Sequence, residues 1–481
     1  MGTSEKMIWL ILFLAALLRL ISLDQSLWLD EAINVLAAKN YSLLGIVTEY
    51  AKGDFHPPGY FIVLWVWTKI FGYTEIAVRL PSIIFGILTI WITFLIGQKI
   101  HSKSLGFIAA LFLAVNPLHI YYSQEARMYS LAALVVSINM LFFLNLVKGE
   151  KSNGRNLGFY ILSNLLVLVS DYVSYLIFPA QLAFFLIGHR TRFLKKWLIV
   201  LLLSLGIFSI WLPIFMNQLQ AGLAVSSSIP AWKEVVGSFG LKPLILTYVK
   251  FIIGRIDHPD PLIYGSLFLI PGLLFLFLMW RGIRFASDFN KKLLSVWLII
   301  PIVSALLISL TVPIYSYFRL LFILPSFMML ISLGVLSFKP KFRNFLIIPT
   351  ILVEVIAATI YLFNSQFQRE DWKGLVSFLG AKGDSHVLLE STGLFAPFEY
   401  YSENRIEADG ALKEFPAEII SNVSNLEFLD GKKDVYLVDY LVEISDPKRL
   451  VSQKLMELGY QKLDIKNFSG VGFVYHYFKN E

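Results

Sequence analysis

The sequence predicts an all-α polytopic membrane protein with a small extracytoplasmic α/β domain at its C-terminus. Three observations predict it. Of the 481 residues, 57% are hydrophobic and only 16% charged, and the mean hydropathy is +0.67. A soluble domain averages roughly 45–50% apolar and about 25% charged. Forty Phe, 22 Tyr and 11 Trp supply the aromatic side chains that collect at membrane interfaces. After residue 364 the composition changes, and short alternating runs of mixed charge replace the apolar stretches. A cytosolic globular enzyme, a disordered chain and a collagen-like chain are excluded. With no cysteine there is no disulfide, thiolate nucleophile or Cys-ligated metal.

A membrane span needs about 20 mostly apolar residues. Eleven stretches qualify: 7–23, 80–98, 105–122, 128–147, 157–170, 172–188, 197–215, 262–280, 293–311, 318–336 and 344–363. The first follows a short lead of mixed charge and holds Arg19, so it is read as a retained helix rather than a signal peptide. Two aromatic or Lys-interrupted segments, 57–72 and 244–256, are read as interfacial helices that do not cross. Charge decides this. If neither crosses, the basic loops at Lys99/Lys103, Lys148/Lys151/Arg155, Arg190/Arg192/Lys195/Lys196, Arg281/Arg284/Lys291/Lys292 and Lys339/Lys341/Arg343 share one side. That is the positive-inside pattern, with the N-terminus cytoplasmic. The net charge of +7 lies in these loops, and no nucleic-acid partner is expected.

The outer side then holds the loops 24–79 and 216–261 and everything after 364. In that tail, DVYLVDYLVEI (434–444) reads as a strand, and two runs near the end read as a hairpin turning at Ser469–Gly470. The domains expected are a membrane module over 1–190 that includes the loop 24–79, a variable membrane half over 191–363 with the loop 216–261, and an α/β domain over 364–481.

The unusual polar residues also gather on the outer side. They are Asp30 and Glu31 in LWLDEA, Asp54 and His56 in DFHPPGY, and Gln124, Glu125, Arg127 and Tyr129 in NPLHIYYSQEARMY. Asp171 and Tyr172 follow in VLVSDYVSY, then GRIDHPDP at 254–261, then Tyr315, Tyr317 and Arg319 in YSYFR. Each has a structural explanation. Acids favour helix starts, a His beside Pro is often structural, Arg anchors at headgroups, and Asp257, His258 and Asp260 read as plain loop polarity. Asp171 is the hardest to explain so, because a carboxylate between apolar helices is costly unless it meets water or a partner. Together the acids, a His and two Arg suit transfer chemistry on a lipid phosphate. A carboxylate serves as general base or metal ligand, and the guanidinium fork donates two parallel hydrogen bonds to phosphate.

Four segments resemble the GT-C membrane glycosyltransferases of the dolichyl-phosphate-mannose protein mannosyltransferase superfamily, in particular its prokaryotic branch with the lipid A aminoarabinose transferases. They are LWLDEA, HPPGYFIVLWVWTKIFGYTEIAVRLPSIIFGILT (56–89), NPLHIYYSQEARMYSL (116–131) and REDWKGLVSFL (369–379). The resemblance implies an inverting glycosyltransferase, a hexosyl- or pentosyltransferase of the cell membrane. Such an enzyme takes a sugar from a polyprenyl- or dolichyl-phosphate on the non-cytoplasmic face and passes it to a lipid, glycan or protein. It implies Asp30 as catalytic base with Glu31 beside it. It implies Arg127 at the donor phosphate, with Gln124, Glu125 and Tyr129 shaping that pocket. His56, Asp171, Tyr172 and Arg319 would line the substrate side. No cofactor is required; if a divalent metal is used, Asp30, His56 and Asp171 are its candidate ligands. A flippase of lipid-linked sugar would place its polar groups near the midplane and show repeat symmetry. A non-catalytic subunit of a glycosylation complex would be expected to lack the acid at position 30. Both remain alternatives.

Overall fold

The computed structural model describes residues 3–149, 154–188, 191–228, 237, 239–383 and 385–480. Lys151 and Arg190 of the basic loops, and part of the loop 216–261, lie outside the described residues. The chain forms two compact units. Of the described residues, one comprises those within 3–23, 41–228 and 237–367, and the other those within 24–40 and 368–480. The two membrane halves expected at 1–190 and 191–363 thus fall in one unit. The segment 24–79, expected as one loop, is divided: its part 24–40 clusters with the C-terminal unit.

The membrane unit is helical. Each of the eleven apolar stretches carries a helix. Among the described residues six are by themselves long and apolar enough to cross: Glu75–Ile100, Tyr129–Val147, Leu194–Ala224, Pro261–Phe285, Asp288–Ile308 and Pro340–Phe363. The stretch read as one span over 105–122 is a pair, Lys103–Val115 and Pro117–Ser123, bent by 64°. The bend has a local cause. Asn116 leaves helical geometry, and its side chain caps the second helix by accepting from the His119 amide, with Pro117 next in line. Gly59–Phe71 has 13 residues. At 1.5 Å per residue such a helix reaches about 20 Å, short of the ~30 Å hydrocarbon core. Small residues let neighbouring helices meet. A Cβ at Gly282 would strike the Leu330 carbonyl, and one at Gly334 the Leu278 carbonyl.

The C-terminal unit holds a five-stranded sheet ordered β2-β1-β3-β5-β4. Its strands are β1 (His386–Leu389), β2 (Ala408–Gly410), β3 (Asp434–Val438), β4 (Gln461–Phe468) and β5 (Gly472–Phe478). β1 pairs in parallel with β2 and β3, with Val387 facing Ala408 on one side and Tyr436 on the other. β5 is antiparallel to β3 and β4, and β4 bulges between Lys462 and Asp464. The β4–β5 turn lies at the expected Ser469–Gly470, where Gly470 takes φ +72°. The central strand β1 is buried along its length and β3 at all but its first residue, as strands covered on both faces are, while β2 at the edge is half-buried. Trp372, Leu375, Val387, Leu389, Tyr436 and Val438 pack in one of the unit's two core clusters.

Candidate active site

In the membrane unit the site residues stand where helices break. The helix Pro117–Ser123 ends at Gln124, the chain turns so that the Arg127 amide donates to the Glu125 carbonyl at 2.7 Å, and Tyr129 starts the next long helix. Gln124 is a brace. Its Nε2 donates to the carbonyls of Arg19 (3.0 Å) and Ile21 (2.7 Å), and its Oε1 accepts from Tyr361 (2.8 Å). An amide so engaged fixes the turn that carries Glu125 and Arg127. The Arg127 guanidinium lies over the Tyr129 ring, 5.6 Å from its centroid. Tyr129 in turn packs edge-on against Tyr122 and Phe318.

Asp54 and His56 form a dyad, His56 Nδ1 lying 2.7 Å from Asp54 Oδ1, which also accepts the His56 amide. The Asp54 carboxylate can only accept, so His56 Nδ1 donates to it. Burial pushes the Asp54 carboxyl up. The charge and hydrogen bond of His56, with Arg127 further away, more than offset this and hold it below its ordinary range. Asp171 sits in the break before a short 3₁₀ turn, 2% exposed, and its Oδ2 has no hydrogen-bond partner among the described residues. It faces His56, Arg319 and Arg127 electrostatically. Tyr172 supports the same corner. Trp211 Nε1 donates to its hydroxyl at 2.9 Å, that hydroxyl donates to Gln218, and Gln218 Nε2 donates to the His56 carbonyl at 3.1 Å. Arg319 is tied by Nη1 to the Pro313 carbonyl at 3.1 Å. The structure thus gathers Asp54, His56, Arg127, Asp171, Tyr172 and Arg319 around one corner of this unit.

A third cation was not singled out in the sequence. Arg255, in the GRIDHPDP segment, lies 4.7 Å over the Tyr121 ring and donates to its hydroxyl at 2.7 Å. It also faces Tyr317, Tyr122 and Glu125. The signal was present as a lone Arg after an amphipathic outer helix, among residues that otherwise serve the backbone. Asp260 caps Pro261–Phe285 by accepting two helix-start amides, and His258 Nδ1 accepts the Asp260 amide at 3.0 Å.

Asp30 and Glu31 belong to the C-terminal unit, in the first turn of the helix Leu29–Asn40. Glu31 is buried and Asp30 half-buried. Glu370, of the REDW motif, faces Asp30 electrostatically. Burial pushes the Glu370 carboxyl up, hydrogen bonds from Trp372 and Tyr440 pull it back, and it settles at about 7. Among the described residues no three His, Asp or Glu side chains are placed to hold a metal ion.

Residues 55–215 match the family model of dolichyl-phosphate-mannose-protein mannosyltransferases. No curated protein matches the sequence. The fold is similar to that of ArnT from Cupriavidus metallidurans in the apo state, with TM-score 0.58 at 12% identity over 99% of this chain and 98% of that one. It is similar to the same protein bound to undecaprenyl phosphate, with TM-score 0.56 at 13% identity and the same coverage. It is also similar to the archaeal oligosaccharyltransferase AglB from Archaeoglobus fulgidus, in complex with an inhibitory peptide and a dolichol-phosphate. There the TM-score is 0.57 at 14% identity, over 98% of this chain and 74% of that one. The resemblance drawn from the motifs stands: the chain has the GT-C glycosyltransferase fold, and residues 55–215 match the mannosyltransferase family model.

Proposed function

We propose that this protein is an inverting glycosyltransferase that moves a sugar from a polyprenyl- or dolichyl-phosphate to an acceptor hydroxyl on the non-cytoplasmic face of the cell membrane. The observation that carries it is the set of guanidinium groups at the helix breaks of the membrane unit. Arg127 lies on Tyr129, Arg255 on Tyr121, and Arg319 faces Asp171. Two fixed cations beside tyrosine hydroxyls, with a third beside a carboxylate, suit a lipid-borne phosphate, whose negative charge grows as it departs. The ligands named for the structural relatives, undecaprenyl phosphate and dolichol-phosphate, are both of this chemistry and support a polyprenyl phosphate here.

In the proposed reaction the acceptor oxygen attacks the anomeric carbon from the side opposite the phosphate. The new C–O bond forms as the sugar–phosphate bond breaks, and the electron pair stays on the phosphate oxygen. The hydroxyl proton passes to the Asp30 carboxylate. Arg127 and Arg255 hold the phosphate, with Tyr129 and Glu125 setting the walls. His56, Asp171, Tyr172 and Arg319 orient the sugar. The acceptor class is a lipid, a glycan or a protein, and no step requires a metal.

Phosphate recognition is tested by binding undecaprenyl phosphate and undecaprenol to the full chain in lipid nanodiscs. Tighter binding of the phosphate, weakened by Arg127→Ala and by Arg255→Ala, is the expected result. Equal binding of the two lipids would refute the donor assignment.

A further inference from the structure

The fourth sequence motif, REDWKGLVSFL, has no role in the reaction as written, yet it surrounds the segment that carries Asp30. Within the C-terminal unit the Arg369 amide donates to Gln25 Oε1 at 2.9 Å, and the Lys373 amide donates to Ser26 Oγ at 3.1 Å. The Leu27 amide donates to the Tyr401 hydroxyl at 2.8 Å. Between these contacts sits Glu370. Its carboxylate accepts from Trp372 Nε1 at 2.8 Å and from the Tyr440 hydroxyl at 3.0 and 3.1 Å. The backbone amide of Leu29 also faces it.

That last contact is the informative one. Leu29 is the first residue of the helix Leu29–Asn40, and its N–H is one of the donors a helix start leaves without an intrahelical partner. A carboxylate 341 positions further along therefore faces the helix start at the residue before Asp30, and the amides of its neighbours Arg369 and Lys373 hold Gln25 and Ser26 just ahead of that helix. Glu370 is itself held from behind. Gly470, at φ +72°, lets the β4–β5 turn press on Glu370, where an added Cβ would come within 3.0 Å of its Cα. The Asp371 amide donates to the Ser469 carbonyl at 2.8 Å.

We propose that Glu370 is the positioning residue of Asp30: it fixes the first turn of the helix so that the Asp30 carboxylate meets the acceptor hydroxyl. The proposal rests on the assignment of Asp30 as base. Misplacing a catalytic group by about 1 Å costs on the order of 100-fold in rate. Glu370→Ala is therefore expected to lower kcat by roughly 100-fold while changing the donor KM by less than about three-fold. Glu370→Gln keeps one acceptor oxygen in place and is expected to recover most of that loss.

The experiment measures kcat and donor KM for wild type, Glu370→Ala and Glu370→Gln in nanodiscs, together with amide hydrogen exchange. Faster exchange at residues 29–34 in Glu370→Ala, with β1 and β3 unchanged, supports positioning. Faster exchange throughout β1 and β3 would overturn it, since Glu370 would then merely hold the domain together. Unchanged kcat in Glu370→Ala, against a wild type that transfers sugar, would overturn this inference alone. A wild type that transfers from no donor would overturn both it and the assignment of Asp30.

Discussion

The two units treat buried charge in opposite ways. In the membrane unit three Arg and a His stand among Asp54, Asp171 and Glu125, and Asp54 is held below its ordinary range by His56 despite its burial. In the C-terminal unit acids face acids. Glu370 faces Asp30 and is pushed up to about 7. Glu390 is wholly buried against Asp439 at the carboxyl ends of β1 and β3, and is pushed up to about 10. The Arg and His groups of the first region suit holding an anion. In the second, Glu390 holds its proton at neutral pH and Glu370 lies near the point of half-protonation.

The division breaks most severely at the proposed base. Asp30→Asn is expected to reduce sugar transfer by about 10³-fold, since general bases contribute on the order of 10²–10⁴. Donor binding, a property of the other unit, should stay unchanged. Arg255→Ala or Arg127→Ala should do the reverse. Hydrogen bonds to charged groups contribute about 1.5–3 kcal/mol, so donor affinity should fall roughly 10- to 100-fold, read by titration with undecaprenyl phosphate.

The proton-holding character of the C-terminal unit is tested by pH. The folded-state pKa of Glu390, about 10, lies above the ordinary carboxylate value, so the folded state binds the proton more tightly. Its contribution to stability is complete below the unfolded pKa and is lost as pH rises toward the folded one. The slope is at most about 1.4 kcal/mol per pH unit. Exchange protection of β1 and β3, corrected for intrinsic rates, should fall between pH 6 and pH 9 in wild type and fall less in Glu390→Gln. The smallest expected effect is at Asp260. Losing its cap in Asp260→Ala should cost about 1 kcal/mol at the start of Pro261–Phe285, with donor binding unchanged.

Much of this was legible in the sequence because it depends on local pattern. Apolar length placed the helices, the break at QEAR placed Arg127, and the alternating runs with Gly470 placed the hairpin. The rest depends on partners far apart in the chain. Gln124 looks like a pocket residue beside Glu125 and Arg127, but it braces the carbonyls of residues 19 and 21 against a tyrosine at 361. Arg255 is distinguished from its loop neighbours by Tyr121, Tyr122, Glu125 and Tyr317, which no spacing rule connects to it. The segment 24–40 follows a membrane helix in sequence, yet it clusters with the C-terminal unit, because Gln25, Ser26 and Leu27 bond to residues between 369 and 401. Apolar periodicity carries no information of that kind.

The central claim is that Asp30 drives transfer of a sugar from a polyprenyl phosphate. It is tested most directly by following radiolabelled sugar from a panel of polyprenyl-phosphate donors into a membrane extract, with wild type and Asp30→Asn compared in nanodiscs. The expected result is label leaving the lipid in wild type and staying on it in Asp30→Asn. Donor that binds but never gives up its sugar under any condition would contradict the claim and favour a flippase or an accessory subunit.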